Sequence, residues 1–517
     1  MQAGKPPGAR AVAVLLLGAW LSAQAASAAP GAEGAGEAAE ERWYRLELDG
    51  RSAGWARERW WQEGGRIVTE AETSLRLARG TAGLEISLAG RFVETAAGEP
   101  VSLWVRRALG SGPVETTYRF FPDRVEAETV QAGRERREVL ALPEGDWLTP
   151  AEARLRVRRH HRAGDRLYRL RTVDPTEGPE PVTVTRTRLG EAALPEAAGR
   201  WREELSSAPG MASVVELDAA GEVVRSTTEI LGLEATLRRS DRSAALASLP
   251  AGAGPEVLLP TLVRPDRAIP RPEQTARAVY ELTLAGGGAL PDLPEGAGQS
   301  VERRRDRLRV TVTVTVPDAE ELAAAGGRAG DRLPPPDQDG AEDLAPYLAA
   351  SAYLDHGDPE IRRLLAAALP ADRDPPAAEL AALLTDLVRA HVAAKDLDTG
   401  FATASEVARS RSGDCTEHSV LLAALLRAAG IPARLVTGLV YLAEFAGAEG
   451  VFGYHMWVQA WTSGRWLDLD ATLPGGFDAT HVALAVSDLA GPEPGGELDR
   501  LLPLVGKLRI EVIEVEP

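Results

Sequence analysis

One thiol, Cys415, is the only cysteine among 517 residues, so the chain cannot form an internal disulfide. It stands in the segment RSGDCTEHSVLLAALLRAAG, just before a long apolar run. A thiol in this place could act as a nucleophile, because the free N–H groups at a helix N-terminus stabilise a thiolate and can hold an oxyanion. The alternative is that Cys415 is a small buried hydrophobic residue.

The run after Cys415 has the residue spacing of an amphipathic helix packed on a core. Gly430 and Pro432 form a typical helix end, and either Asp414 or Ser412 could cap the helix start. We therefore expect the thiol at or beside the helix N-terminus. The predicted apolar stripe of this helix consists of Val420, Leu421, Ala424, Leu425 and Ala428.

A thiol nucleophile needs a base, and the sequence around His455 makes that histidine the candidate. The segment FGYHMWVQAWTSGRWLDLDATLP alternates like two strands joined by a two-residue Ser-Gly turn. With that turn, Thr462 pairs with Arg465, and Asp470 lies diagonally across from His455 on the same face. A carboxylate there would fix the imidazole tautomer and stabilise its charged form. A different register would make Asp468 the acid instead.

Four segments in this order resemble the core of the bacterial transglutaminase-like proteins, in the papain-like cysteine-enzyme superfamily: GDC, LLAALLRAAGIPARLVTGLVY, HMWVQAW and GRWLDLDATLP. The resemblance implies that Cys415 is the nucleophile, His455 the base and Asp470 the orienting acid. It implies no metal and no organic cofactor. Ala471 departs from the family pattern, in which proline is common at this place.

The resemblance implies an enzyme that transfers an acyl group from a peptide or protein amide through a thioester. Attack on the thioester by an amine would make it a transglutaminase, whereas attack by water would make it a cysteine peptidase or amidase. A different class stays open: an exported binding or assembly module whose β-rich region is the working part and whose thiol domain is a scaffold. The intact cysteine, histidine and aspartate favour the enzyme.

Two residues beside the thiol have structural interpretations as well as functional ones. His418 could approach a metal together with His455 and His481, but ligation at such spacing without a second cysteine is a weak pattern. We interpret His418 as a helix residue that lines the cleft. Glu417 is interpreted as a favourable negative charge in the first helical turn.

The whole sequence predicts a multidomain chain, with a β-rich N-terminal region of antiparallel sheets followed by a C-terminal α+β papain-like or transglutaminase-like domain. Short alternating runs between Gly and Pro residues indicate hairpins in the first part, and helical spacing takes over after a Gly-, Pro- and Asp-rich linker. The predicted divisions are 41–245 for the antiparallel β-rich domain, 246–325 for a second β segment, 326–345 for the linker, 346–490 for the catalytic domain and 491–517 for a C-terminal strand or tail.

The N-terminal sequence predicts export. Residues 1–28 combine a positive start, the apolar run AVAVLLLGAWLSA and small-residue cleavage sites, as in a signal peptide, and residues 29–40 form an acidic spacer. The apolar run is too short to span a bilayer, so we expect a periplasmic or extracellular protein without a transmembrane segment in the mature chain. A net charge of −18 argues against nucleic-acid partners. Export suggests a protein or peptide substrate of the cell envelope.

Overall fold

The structure is a computed structural model that divides into two compact units between Val257 and Leu258. It describes residues 40–79, 82–109, 113–131, 133–208, 210–230, 232–250, 252, 254–314, 343–370, 374–394, 402–489 and 504–517. The predicted signal peptide and almost all of the predicted spacer and linker lie outside the described residues. No helix in the described ranges is long and apolar enough to cross a membrane.

The described residues of the unit before Leu258 are mainly β-strands, together with two helices. The helices are α1 (Pro150–Ala163) and α2 (Arg242–Leu246). The strands are β1 (Glu40–Leu48), β2 (Arg51–Glu63), β3 (Arg66–Arg79), β4 (Ala82–Thr95), β5 (Pro100–Leu109), β6 (Val114–Phe120), β7 (Val125–Gln131), β8 (Arg134–Leu140), β9 (Leu167–Val173), β10 (Pro181–Gly190), β11 (Gly199–Leu205), β12 (Ala212–Leu217), β13 (Val223–Ile230) and β14 (Leu233–Ser240).

These strands form one antiparallel sheet in the order β8-β7-β6-β5-β4-β3-β2-β1-β14-β13-β12-β11-β10-β9. Strand β1 pairs with both β2 and β14, so the chain returns at the end of the unit to the strand with which it began. Burial alternates along single strands, as in β11, because successive side chains point to opposite faces of a sheet. The predicted β-rich N-terminal region of antiparallel sheet is confirmed.

The second unit, Leu258–Pro517, combines helices with two smaller sheets. Its strands are β15 (Arg277–Leu284), β16 (Gln299–Arg304), β17 (Arg307–Thr313), β18 (Ala433–Phe445), β19 (Ala448–Thr462), β20 (Arg465–Leu469), β21 (Val482–Ser487) and β22 (Leu508–Glu516). Its α-helices are α3 (Pro359–Ala368), α4 (Ala377–His391), α5 (Ala404–Ser410) and α6 (Cys415–Ala428), with 3-10 turns at Leu259–Thr261, Pro272–Gln274 and Ala345–Tyr347.

The two sheets of this unit are both antiparallel and four-stranded. One has the order β16-β17-β15-β22 and the other the order β20-β19-β18-β21. Apolar side chains of both sheets share one core, in which Tyr280 of β15 meets Phe452 of β19 edge to face with ring centroids 5.6 Å apart. The α+β character predicted for the C-terminal part of the chain is confirmed.

Helix α6 lies at the centre of the helical layer, in contact with α3, α4, α5, β18 and β19. Every residue from Glu417 to Arg427 is buried. The predicted single apolar stripe was therefore too narrow, because Leu422, Ala423 and Leu426 on the other faces are fully buried as well. A helix that is apolar on all sides belongs inside a core rather than on its surface.

The end of α6 follows the sequence prediction. Gly430 has a φ of 78°, in the left-handed region that glycine adopts without strain. Its N–H donates to the carbonyl of Arg427 at 3.0 Å, and the N–H of Ile431 donates to the carbonyl of Leu426 at 2.9 Å. These two bonds form the Schellman motif that closes a helix.

Replacing Leu425 by alanine should destabilise this unit strongly. Leu425 is fully buried inside α6, so the substitution leaves a cavity and is expected to lower the free energy of unfolding by about 2–5 kcal/mol. Denaturant unfolding of both variants measures the loss. The matched control is Leu383→Ala on α4, where the side chain is exposed and the expected loss is below about 1 kcal/mol. Equal losses in the two variants would contradict the central position of α6.

Candidate active site

Cys415 is the first residue of α6, as the sequence predicts, and its side chain is a free thiol that is partly buried. Asp414 caps the helix, since its carboxylate accepts a hydrogen bond from the N–H of Thr416 at 2.8 Å. Glu417 accepts from the N–H of Asp414 at 3.0 Å and completes a capping box. Of the two cap candidates in the sequence, Asp414 is therefore the one used.

Glycine is required at position 413, just before the cap. Gly413 has a φ of 152°, and a Cβ atom there would lie 2.2 Å from the Cβ of Glu417. No side chain fits in that space, because heavy atoms that are not bonded repel strongly at such distances. Gly413 is thus a structural requirement of the loop that leads into the helix start.

Glu417 lies in the first helical turn as the sequence interpretation has it, but it is a buried capping group. It also accepts a hydrogen bond from the N–H of Ala402 at 3.2 Å. Burial, together with the negative charge of Asp414, raises the pKa of Glu417 to about 8. The carboxyl group therefore holds its proton at neutral pH and adds no full negative charge beside the thiol.

Replacing Glu417 by glutamine should change how stability depends on pH. The pKa of Glu417 is about 8 in the folded protein, above its value of about 4.3 in an unfolded chain. The folded state therefore binds more protons in this window, and the wild type loses stability as the pH rises through it. Glutamine has no titrating proton, but its single amide oxygen can accept from only one of the two N–H groups, of Asp414 or of Ala402. The variant is therefore expected to lose stability by an amount that does not depend on pH, and the difference in melting temperature between it and the wild type should shift in favour of the variant as the pH rises from 5 to 8.

Thermal unfolding at several pH values tests this expectation. The matched control is Glu444→Gln on β18, where the carboxylate is exposed and its removal should give a flat difference from the wild type. A Glu417→Gln variant whose difference from the wild type is also flat would contradict the assignment.

Strands β19 and β20 form the hairpin that carries the candidate base. Ser463 and Gly464, which connect them, have φ values of 52° and 79°, as a two-residue type I′ turn requires. This turn sets the predicted register, with Thr462 opposite Arg465. The same register continues along the hairpin to Val458, which lies opposite Leu469, the last residue of β20.

His455 and Asp470 meet at the end of this hairpin. The Nε2 atom of His455 lies 2.9 Å from Oδ2 of Asp470, and both side chains are buried. Burial alone would lower the pKa of His455, but the charge and hydrogen bond of Asp470, with smaller contributions from contact with the Cys415 thiol, raise it to about 9. The imidazole thus interacts with the thiol and is favoured in its charged form.

Asp470 is held in place by more than His455. Its Oδ1 atom accepts hydrogen bonds from the N–H groups of Thr472 at 2.6 Å and Leu473 at 3.2 Å. Arg389 of α4 donates to the backbone carbonyl of Asp470 at 2.7 Å. Burial opposes ionisation, but the adjacent histidine charges and hydrogen bonds hold the pKa of Asp470 well below its usual range.

Asp468, the other carboxylate on this face, has different partners. Its Oδ1 atom accepts from Nε1 of Trp457 and from Nε2 of Gln459, both at 2.8 Å. The Trp457 ring in turn stacks on His455, with ring centroids 6.2 Å apart and planes at 21°. Asp468 therefore fixes the aromatic wall beside the imidazole, whereas Asp470 contacts the imidazole itself.

A direct bond connects the helix of the thiol to the strand of the base. The hydroxyl of Ser419 donates to the backbone carbonyl of Met456, the residue after His455, at 3.0 Å. This buried bond lies one helical turn from Cys415. It fixes the start of α6 against the middle of β19, which is what brings the thiol and the imidazole together.

Sequence reasoning missed the role of His481. Its Nε2 atom lies 3.2 Å from the same Oδ2 atom of Asp470 that His455 contacts. His418 has a different partner, because its Nδ1 atom lies 2.7 Å from the backbone carbonyl of Asp414. One sequence signal could have pointed to His481. The tripeptide Asp-Ala-Thr occurs at 470–472 and again at 478–480, and His481 follows the second copy directly.

The site has three groups close enough to be considered as metal ligands. His455, Asp470 and His481 each offer an atom within 4.8 Å of the others. The Nε2 atoms of both rings are at hydrogen-bonding distance from one carboxylate oxygen, so hydrogen bonds are sufficient to account for the arrangement. The geometry is that of a histidine–carboxylate network beside a thiol.

Known proteins resemble this chain to different extents. No curated protein matches its sequence. Three solved structures are similar at low identity. A beta-barrel-like protein of a domain of unknown function from Brucella abortus has 13% identity and a TM-score of 0.30, over 39% of this chain and 95% of that chain. A candidate cysteine protease from Cytophaga hutchinsonii has 16% identity and a TM-score of 0.27 (46% of this chain, 86% of that chain), and a candidate protease from Parabacteroides distasonis ATCC 8503 has 12% identity and a TM-score of 0.19 (76% of this chain, 69% of that chain). Similarity at this level says nothing about activity.

The family comparison concerns the part of the chain that carries the site. Residues 365–471 match the model of the transglutaminase-like superfamily. The matched range contains Cys415, His455 and Asp470, and it ends before His481. The recognition made from the sequence motifs is confirmed: this part of the chain is transglutaminase-like.

Proposed function

We propose that this protein is an exported cysteine enzyme that transfers acyl groups from peptide or protein amides through a thioester on Cys415. The observation that carries the proposal is the position of Cys415 at a helix start, where its thiol interacts with His455, an imidazole whose Nε2 atom is held by the buried Asp470. The match to the transglutaminase-like superfamily supports a cysteine enzyme. The signal-peptide pattern of residues 1–28 supports export.

The first half of the reaction needs one nucleophile and one proton carrier. Because Nε2 of His455 faces Asp470, Nδ1 is the ring nitrogen that carries the proton of the thiol when the thiolate and the charged ring form an ion pair. The resulting thiolate attacks the amide carbonyl carbon, and a tetrahedral intermediate forms. When this collapses, the C–N bond breaks, the thioester forms, and His455 gives its proton to the leaving amine or ammonia.

The second half of the reaction decides between the two activities that the sequence leaves open. His455, now neutral, takes a proton from the incoming amine or water, which attacks the thioester and releases Cys415. An amine gives a transglutaminase product, and water gives a peptidase or amidase product. The same three residues serve both outcomes, so the acceptor is decided by what reaches the thioester.

Mass spectrometry tests the proposal directly. The protein is incubated with glutamine-containing peptides, with and without a primary amine, and with Cys415→Ser in parallel. An amine adduct indicates transglutamination, a deamidated peptide or a cleaved peptide indicates hydrolysis, and an acyl adduct on the intact protein marks the thioester. Peptides that stay unchanged with a folded wild-type protein, or that change equally with the serine variant, would refute the enzyme and favour the scaffold.

A further inference from the structure

His481 is enclosed in the core of the site. It is 1% exposed, and aromatic rings cover it, with Phe477 at 4.6 Å and Trp457 at 5.2 Å between ring centroids. Its Nε2 atom points to Asp470. Its Nδ1 atom lies 3.0 Å from the backbone carbonyl of Asp478, 3.3 Å from the Oδ1 atom of that residue and 3.3 Å from its backbone N–H. A polar ring in such a place interacts strongly with its few neighbours, because water screens little there.

The contacts of Asp470 define which protons the two rings carry. One carboxylate oxygen has two backbone N–H donors, from Thr472 and Leu473, and the other has the Nε2 atoms of His455 and His481. A carboxylate only accepts hydrogen bonds, so each Nε2 atom must carry a proton. Both oxygens of the carboxylate therefore have their hydrogen-bond donors. Each ring keeps a proton on Nε2, so Nδ1 is the atom that contacts other groups.

The charged groups around His481 alternate in sign. Asp478 lies on one side of the ring and Asp470 on the other, and His455 lies beyond Asp470 with its ring centroid 5.6 Å from that of His481. Several titratable groups face this network. They are Asp468, Asp470, Asp478, His455 with Cys415 beside it, and Tyr280 of β15, which interacts with Asp478. The ring thus lies between two carboxylates, which favours its charged form.

We propose that His481 is a positioning residue of the thiol site: through Asp470 it orients His455 and limits how strongly that ring holds its proton. The inference rests on the proposed function for its meaning, but its geometry is independent of the substrate. A second positive ring on the same carboxylate oxygen takes up part of the negative charge that would otherwise stabilise the His455 imidazolium. His455 can then release its proton to the leaving amine more readily than it could if it were the only ring bound to Asp470.

Histidine NMR on the whole protein tests this proposal without a substrate. The ¹⁵N shifts of the His455 ring are followed against pH in the wild type, where we expect loss of its proton near pH 9, the raised pKa of the group. In His481→Gln, the amide can still donate to Asp470 but carries no charge, so the pKa of His455 should rise by roughly one unit. Cys415 is the only thiol in the chain, so its alkylation by iodoacetamide can be followed directly. The change in alkylation rate that accompanies loss of the His455 proton should move to higher pH by the same amount.

Two further variants make the result decisive. His481→Phe removes the charge and fits the aromatic surroundings of Phe477 and Trp457, so it should move the His455 pKa in the same direction and covers the case in which His481→Gln does not fold. His391→Gln is the matched control, a histidine of the same unit whose Nε2 atom bonds the backbone carbonyl of Ala408 at 2.8 Å, and it should leave His455 unchanged.

A His455 pKa that stays constant in the folded His481→Gln or His481→Phe variant would overturn the proposal. A structural role alone would lower the melting temperature without moving this pKa. Failure of the proposed function would look different, because unchanged peptides say nothing about the titration of His455.

Discussion

Replacing Cys415 by serine is expected to lower turnover by about 10⁴-fold or more while leaving the melting temperature within about a degree or two of the wild type. Serine has nearly the same shape, but its hydroxyl is far less acidic than a thiol and supplies no anionic nucleophile at neutral pH. The side chain is only partly buried at the first position of α6, and the cap uses Asp414 and Glu417 rather than the sulfur. The measurements are peptide turnover by mass spectrometry and thermal unfolding.

Leu425→Ala provides the opposite result in the same helix. That variant should lose stability but retain specific activity in the folded fraction, since Leu425 is a fully buried core residue. If Cys415→Ser instead unfolds the unit, and the folded remainder still turns over substrate, the thiol is a core residue and the enzyme proposal fails.

The sequence predicted the parts of the site that depend on local interactions. The start of α6 follows from the Asp414 cap, its end from Gly430, and the hairpin register from the Ser463-Gly464 turn. Each of these is set by residues within a few positions of one another, so spacing and propensity are sufficient to predict it. The choice of Asp470 over Asp468 as partner of His455 then followed from the register.

What the sequence did not predict depends on distant contacts. His481 reaches Asp470 through a loop that has no regular period, and only the packing of Phe477 and Trp457 around it shows that the ring is inside. In the first unit, single hairpins were visible, but the pairing of β1 with β14, such as Trp43 opposite Ser240, joins residues far apart in the chain. Burial of α6 on all its faces likewise depends on helices that precede it in the sequence.

Replacing Asp470 by asparagine is expected to lower turnover by roughly 10²–10⁴-fold with the fold retained. The reason lies in the hydrogen bonds of the carboxylate. Oδ1 of Asp470 accepts two backbone N–H groups, so the asparagine oxygen must take that side and its amide nitrogen must face the two rings. An amide nitrogen only donates, and it can serve both Nε2 atoms, provided that each ring moves its proton to Nδ1.

This rearrangement satisfies every hydrogen bond of the asparagine, which is why the unit should still fold. It leaves His455 as a neutral ring whose only lone pair is on Nε2, so Nδ1 cannot accept the proton of the thiol. The base is then in the wrong tautomer, and the charged ring loses the anion that stabilised it. Peptide turnover and the alkylation rate of Cys415 should both fall. Asp468→Asn is the matched control, with a loss of no more than about tenfold, because Asp468 contacts Trp457 and Gln459 rather than the imidazole. A larger loss in Asp468→Asn than in Asp470→Asn would show that the acid of the site has been misassigned.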